Sequence, residues 1–233
     1  MPWTQDSYLR FFPSLSWQAA PQLEKLVAEE PRGTRIADLG AGGRRIRDDV
    51  VCVDFIPVDG TTVQADVQKL PFADESLDLV IATGLLEHVE DDRALLLETF
   101  RVLRPGGRAH FEVPFLQQYH DDPIDCRRLT VDGLRREFLR AGLETERSGV
   151  HLGPTVTMIT LSSYYVALLF EGRSKVMRGI STLAHLGSRV LLWPAKFLDR
   201  FLIGRRSAHR LAFASSPTEP ALTAAGMIVD HRQ

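Results

Sequence analysis

The chain has 233 residues, 44% of them hydrophobic and 25% charged, with a net charge of -2 and a pI near 6.4. That composition is ordinary for a soluble globular protein long enough to bury one core with an elaboration. Only Cys52 and Cys126 are present, far apart and without Cys-x-x-Cys spacing, which excludes a disulfide framework or a cysteine zinc site and points to a reducing, cytoplasmic setting.

Trp3, Tyr8, Phe11, Phe12 and Trp17 make the first 33 residues an aromatic cap segment, interrupted by Asp6 and Arg10, so a secretory signal is not expected. A helical pattern over residues 20–30 ends at Pro31-Arg32-Gly33. Strands are predicted at 34–39, 49–54, 61–66, 77–83 and 108–114, with turn chemistry between them. Residues 91–103 read as a helix with Leu95, Leu96, Phe100 and Leu103 on one face, stopped by Pro105-Gly106-Gly107. Residues 130–141 read as another, opened by a Thr130 cap and closed by Gly142. Alternating strands and helices of this size predict an α/β fold: a mostly parallel sheet covered on both faces.

Ile36-Ala37-Asp38-Leu39-Gly40-Ala41-Gly42-Gly43 runs an apolar strand into a glycine-rich turn, and the next strand ends in Asp54. In an open α/β sheet these are the parts of an adenosine-cofactor pocket at the carboxyl ends of the strands. Glycines let the backbone approach a ligand without Cβ clashes, and Asp54 offers a carboxylate to ribose hydroxyls. A dinucleotide needs a full helix whose amino end faces its pyrophosphate. Here only residues 44–48 separate the glycines from the next strand, and Arg44 replaces a third glycine. S-adenosylmethionine, a sulfonium with an amino acid tail and no phosphate, fits that spacing better.

Asp38-Leu39-Gly40-Ala41-Gly42, Asp54, Gln64-Ala65-Asp66-Val67-Gln68-Lys69-Leu70-Pro71-Phe72, Ser76-Leu77-Asp78-Leu79-Val80, Leu86-Glu87-His88-Val89 and Arg101-Val102-Leu103-Arg104-Pro105-Gly106-Gly107 occur in this order. Together they resemble the class I S-adenosylmethionine-dependent methyltransferases, type 11 (UbiE-like), over about residues 34–145. The resemblance implies a Rossmann-like sheet with S-adenosylmethionine as cofactor. It places Gly40 and Gly42 at the methionine end, Asp54 at the ribose, and Asp66 and Val67 at the adenine, with Asp38, Ala41 and Phe55 as further cofactor-binding residues. Thr83 and Gly84 would border the transferable methyl.

For the acceptor, His88 follows the fourth strand and is either a proton acceptor or a local packing residue. Tyr119-His120-Asp121-Asp122-Pro123-Ile124-Asp125 follows the fifth strand. It reads either as a polar loop or as a site in which His120 is oriented by Asp122 or Asp125 to take a proton. His88, His120 and Asp125 are therefore the candidate catalytic residues, and no metal ligand set is expected from this spacing.

Residues 152–210 carry nine basic residues against two acids, Glu171 and Asp199, or +7, so the remainder carries -9 of the net -2. The segment is expected to be a helical lid over the acceptor side, or a basic amphipathic surface meeting anionic lipid through residues 173–210. No clean membrane span is expected. Nucleic acid is not an expected partner, because long aliphatic runs interleave the basic residues. The organisation is a cap at 1–33, a cofactor-binding core at 34–151, a helical insertion at 152–223 and a closing strand and tail at 224–233. The expected activity is O-methylation of a hydroxyl on a glycan, a lipid-linked intermediate or another secondary metabolite, the acceptor being a small molecule, a glycan or lipid-linked. The alternative is an inactive cofactor-binding scaffold at a membrane surface.

Overall fold

The computed structural model describes residues 19–120, 123–148, 153–170 and 175–199. The expected aromatic stretch before residue 19, the basic end of the insertion and the closing strand lie outside the described residues.

Five parallel strands form one sheet in the order β3-β2-β1-β4-β5: β1 Ile36–Leu39, β2 Val51–Asp54, β3 Val63–Gln64, β4 Leu77–Thr83 and β5 Leu103–Glu112. The chain order reverses at the β1–β4 pair, so the crevice for a ligand lies beyond the carboxyl ends of these two strands. β1 is buried along its whole length, as a central parallel strand requires. On one face of the sheet Ile36, Leu79, Ile81 and Val50 pack with Leu23 and Val27 of helix α1, Ala19–Glu29. On the other, Ala37, Leu39, Val80, Ala82 and Phe111 pack with Leu95, Leu96 and Val102 of α2, Asp92–Val102, and with Leu134 and Phe138 of α3, Val131–Arg140. The period-2 alternation along each strand decides which residue faces which helix.

Side-chain caps set the helix starts. Asp91 Oδ1 accepts from Ala94 N at 2.9 Å, and Thr130 Oγ1 accepts from Gly133 N at 3.0 Å. β5 differs from its expected start at residue 108. It begins at Leu103, directly after α2, and a register shift between Leu77 and Leu79 absorbs the Pro105-Gly106-Gly107 segment as a bulge. β3 is shorter than expected because it pairs only with β2, although Thr62 N and Ala65 N still donate to Cys52 O and Asp54 O.

Helices α4, Pro154–Leu169, and α5, Lys175–Leu192, followed by a 3-10 segment at Trp193–Leu198, form a hairpin that packs on itself. Asp199 closes it: its carboxylate accepts from Thr155 N at 2.8 Å and Val156 N at 3.0 Å, at the amino end of α4. No described helix is long and apolar enough to cross a membrane.

Candidate functional site

The glycine turn after β1 is built on backbone. Val53 O of β2 accepts from Gly40 N at 2.9 Å and from Ala41 N at 3.3 Å, which folds the turn over the end of the neighbouring strand. Gly40 has φ +63°, and a Cβ there would stand 2.7 Å from Leu85 Cδ1, so conformation and space both require glycine. At Gly42 a Cβ would meet nothing within 4 Å; this residue faces open space. Asp54, at the end of β2, accepts from Gly42 N through Oδ2 at 2.9 Å and from Ile56 N through Oδ1 at 3.2 Å. An ionised carboxylate has about four acceptor positions, so two remain for hydroxyls.

Asp38 and Ala41 lie beneath this surface. Asp38 is fully buried, and Arg44 binds both its oxygens, Nε to Oδ2 at 3.0 Å and Nη2 to Oδ1 at 2.7 Å. Burial pushes the Asp38 carboxyl above its ordinary range even so. Asp38, expected among the cofactor-binding residues, has both carboxylate oxygens held by Arg44. Its carboxylate anchors the turn through Arg44, the residue that stands where a third glycine was missing. Residues 44–48 form no helix, so no helix terminus faces the turn.

Phe55 is 68% exposed beside Asp54. Asp66 is exposed and holds the turn after β3 by accepting from Gln68 N at 2.9 Å, while Val67 is buried in the core. At the end of β4, Thr83 Oγ1 is buried with no hydrogen-bond partner, an orphaned polar atom at the lip of the crevice. Gly84 N donates to Glu112 O of β5 at 2.9 Å.

The second half of the site follows β4. His88 closes a 3-10 turn, Leu86–His88, and its Nδ1 bonds Ile124 O. Cys126 N donates to Glu87 O at 2.7 Å, and Arg127 Nη2 donates to Val89 O at 3.0 Å and Glu90 O at 2.6 Å. These bonds latch the loop after β5 onto the turn after β4 and bring His120 to His88, ring centroids 4.7 Å apart at 88°. Burial and the neighbouring His88 push the His120 imidazole below its ordinary range, which favours the neutral base.

The expected His120–Asp125 base pair is not formed as a hydrogen bond. Asp125 Oδ2 is 3.6 Å from His120 Nδ1 and instead accepts from His120 backbone N at 2.9 Å. Arg128 grips both carboxylate oxygens, Nη2 to Oδ2 at 2.6 Å, and holds the carboxyl down at about 2. Three residues on, the guanidinium outcompetes an imidazole geometrically because its fork matches both oxygens. Asp122 lies outside the described residues. A lowered folded-state pKa gives stability that is present above the unfolded value near 3.8 and is lost as pH falls toward 2. Asp125→Asn should therefore be less stable than wild type at pH 7, with the two unfolding midpoints converging between about pH 4 and 2; a constant gap in acid melts contradicts this.

Sequence reasoning missed Glu87, Arg44 and Arg128. Glu87 is 2% exposed, and burial pushes its carboxyl up. The signal was an acid inside an otherwise apolar turn, Leu85-Leu86-Glu87. A separate groove of about 470 Å³, lined by Arg35, Ile36, Val51, Phe72 and Leu77, opens at the amino ends of the strands and shares none of these residues.

A 3-2-1-4-5 parallel sheet with a glycine turn after β1 and an acid after β2 defines a Rossmann-like nucleotide-cofactor fold. Residues 43–111 match the family model described as a methyltransferase domain, so this part of the core is similar to that family. The chain is 49% identical, over 32% of its length, to the ubiquinone/menaquinone biosynthesis C-methyltransferase UbiE of Desulfotalea psychrophila, and covers 35% of that protein. It is 46% identical over 22% of its length to an uncharacterized methyltransferase of Mycobacterium avium, covering 20% of it. The matched part thus spans about a third or less of either relative. Among solved structures, the [4+2]-cyclase SpnF superposes with TM-score 0.51 at 20% identity, covering 84% of this chain and 79% of that one, a likeness of fold alone. S-adenosylmethionine is the cofactor of this domain class.

Proposed function

We propose that the chain is an S-adenosylmethionine-dependent methyltransferase that methylates a hydroxyl on a glycan, a lipid-linked intermediate or a small metabolite. One observation carries the reading. The open Gly40–Gly42 turn, the Asp54 carboxylate with spare acceptor positions and the orphaned Thr83 hydroxyl line one edge of a methyltransferase domain. These groups fit a phosphate-free adenosyl ligand: bare backbone at the tail, a carboxylate at the ribose, and a hydroxyl awaiting a partner.

S-adenosylmethionine, when bound, supplies an electrophilic methyl on a good leaving group. Positioning therefore accounts for most of what the protein must do. Gly84 and Leu85 set the floor between the cofactor edge and the Glu87–His88–His120 cluster, where the acceptor is held. His120, kept neutral by burial, takes the acceptor's proton, and Asp125 with Arg128 positions the loop that carries it. The match to a C-methyltransferase concerns a third of that relative and leaves the acceptor of this chain to its own residues.

Calorimetric titration with S-adenosylhomocysteine tests the reading, with saturable one-to-one binding expected. No measurable affinity would remove it. His120→Ala should abolish turnover of the methyl donor while leaving that affinity intact, and unchanged turnover clears His120 of the proton step.

A second reading is favoured by the hairpin. Leu168, Leu169, Ile180, Leu183, Val190 and Leu191 are exposed on α4 and α5, in the segment with the basic excess. We infer a peripheral contact with anionic lipid, with or without catalysis. The chain should co-sediment with vesicles containing phosphatidylglycerol and should be released by salt; equal recovery in the supernatant with and without vesicles contradicts it.

A further inference from the structure

We propose that Glu87, His88 and His120 bind a first-row divalent transition-metal cation. The three side chains each offer a ligand atom, and these atoms lie within 4.8 Å of one another. Two elements distant in sequence build the group, the 3-10 turn after β4 and the latched loop after β5. Their meeting is a property of the fold and no accident of neighbouring residues.

The buried carboxylate is the independent sign of a ligand. Glu87 is 2% exposed, and its Oε2 is sealed from solvent with no hydrogen-bond partner. An acid in that state is costly unless a cation or a proton meets it. The guanidinium of Arg128, which acts on Glu87 by its charge, is committed to Asp125, both of whose oxygens it grips. A cation bound by this carboxylate meets its buried charge.

The histidines are arranged as metal ligands are. His88 Nδ1 bonds the backbone carbonyl of Ile124, which assigns the proton to that nitrogen and leaves the Nε2 lone pair free. A backbone carbonyl on the second ring nitrogen is the usual way a protein orients a ligating imidazole. Nε2 stands 3.9 Å from Glu87 Oε1, on the side of the cluster that a cation would occupy. Bonds of about 2.1 Å to a tetrahedral centre put ligand atoms roughly 3.4 Å apart. Rotation of the half-buried His120 ring on its loop supplies that closure.

Two imidazoles and one carboxylate favour zinc, manganese, iron, cobalt or nickel over magnesium and calcium, which prefer all-oxygen sites. Three protein ligands leave coordination positions open. Glu87 Oε1 lies 3.7 Å from where a Cβ on Gly84 would stand, so the open side borders the lip assigned to the methyl. There a cation would hold the acceptor oxygen and promote loss of its proton to solvent; the proton role given to His120 above belongs to the cation-free protein, since a ligating imidazole has no lone pair left for it. That use rests on the methyltransferase reading; the site itself does not.

The test is titration of the chelator-stripped full chain with Co²⁺, followed by visible absorption, and with Zn²⁺, followed by calorimetry, both without any adenosyl ligand. One saturable equivalent is expected. His120→Ala and Glu87→Gln should each weaken it by more than the about tenfold that loss of an outer-shell partner costs, while His185→Ala leaves it unchanged. Failure of the wild-type chain to bind either cation saturably, or undiminished binding in His120→Ala, overturns the proposal. Because His120 lies on a half-buried loop, its variant decides the matter even if Glu87→Gln does not fold. Separate titration of the stripped chain with S-adenosylhomocysteine distinguishes the outcomes: cation binding without adenosyl binding removes the transferase reading and keeps the site.

Discussion

Arg44→Ala is expected to destabilise the fold by about 3 kcal/mol at neutral pH, the cost of leaving a buried carboxylate without its partner. Asp38 sits fully buried in the middle of β1, and Arg44 meets both of its oxygens. Removing the guanidinium leaves the carboxylate to find a proton instead. The pH dependence follows from that. The folded-state pKa of Asp38 is already raised by burial and rises further in the variant, so its unfavourable effect is absent in acid and grows as pH increases. Urea melts at pH 7.5 and pH 5 should therefore show a smaller deficit at the lower pH. The double variant Asp38→Asn/Arg44→Met, which removes both charges, should recover much of the loss. A deficit independent of pH would mean that Arg44 acts through its packing alone.

The same pair explains what was legible in the sequence. Strands β1, β2 and β4 and helices α2 and α3 follow from local patterns: apolar runs ending in glycine or acid, Asp91 and Thr130 at helix starts, Gly142 at a helix end. Such signals lie within a few residues of what they specify. The role of Asp38 was not legible, because an acid before a glycine turn reads the same whether it faces a ligand or an arginine six residues on. In the structure Arg44 holds both of its oxygens. Asp125 carried a similar ambiguity: the pattern offered it to His120, and only the structure shows the fork of Arg128 filling both oxygens. Glu87 went unread because its significance is created by a loop about 35 residues later. The bonds that bring His120 to it, from Cys126 N, Arg127 and His88, run between elements whose pairing no local spacing encodes.

Asp54→Ala should lower affinity for S-adenosylhomocysteine about 100-fold with little change in the unfolding midpoint. Two hydroxyl bonds to a carboxylate, each worth about 1.5 kcal/mol, give roughly that factor. Asp54 is half-buried at the end of β2, so the fold does not depend on it as it depends on Asp38. Its Oδ2 also accepts from Gly42 N, and loss of that bond relaxes the open turn that faces the ligand. The two contributions are separable. Asp54→Asn keeps one carbonyl acceptor, so it should fall between wild type and Asp54→Ala, whereas Asp54→Leu should match Asp54→Ala. Binding to a ligand lacking the ribose hydroxyls should be equally weak in wild type and Asp54→Ala if the carboxylate acts on the sugar. If Asp54→Ala binds S-adenosylhomocysteine as tightly as wild type, the acid at the end of β2 is only a turn residue, and the pocket must be sought elsewhere along the sheet.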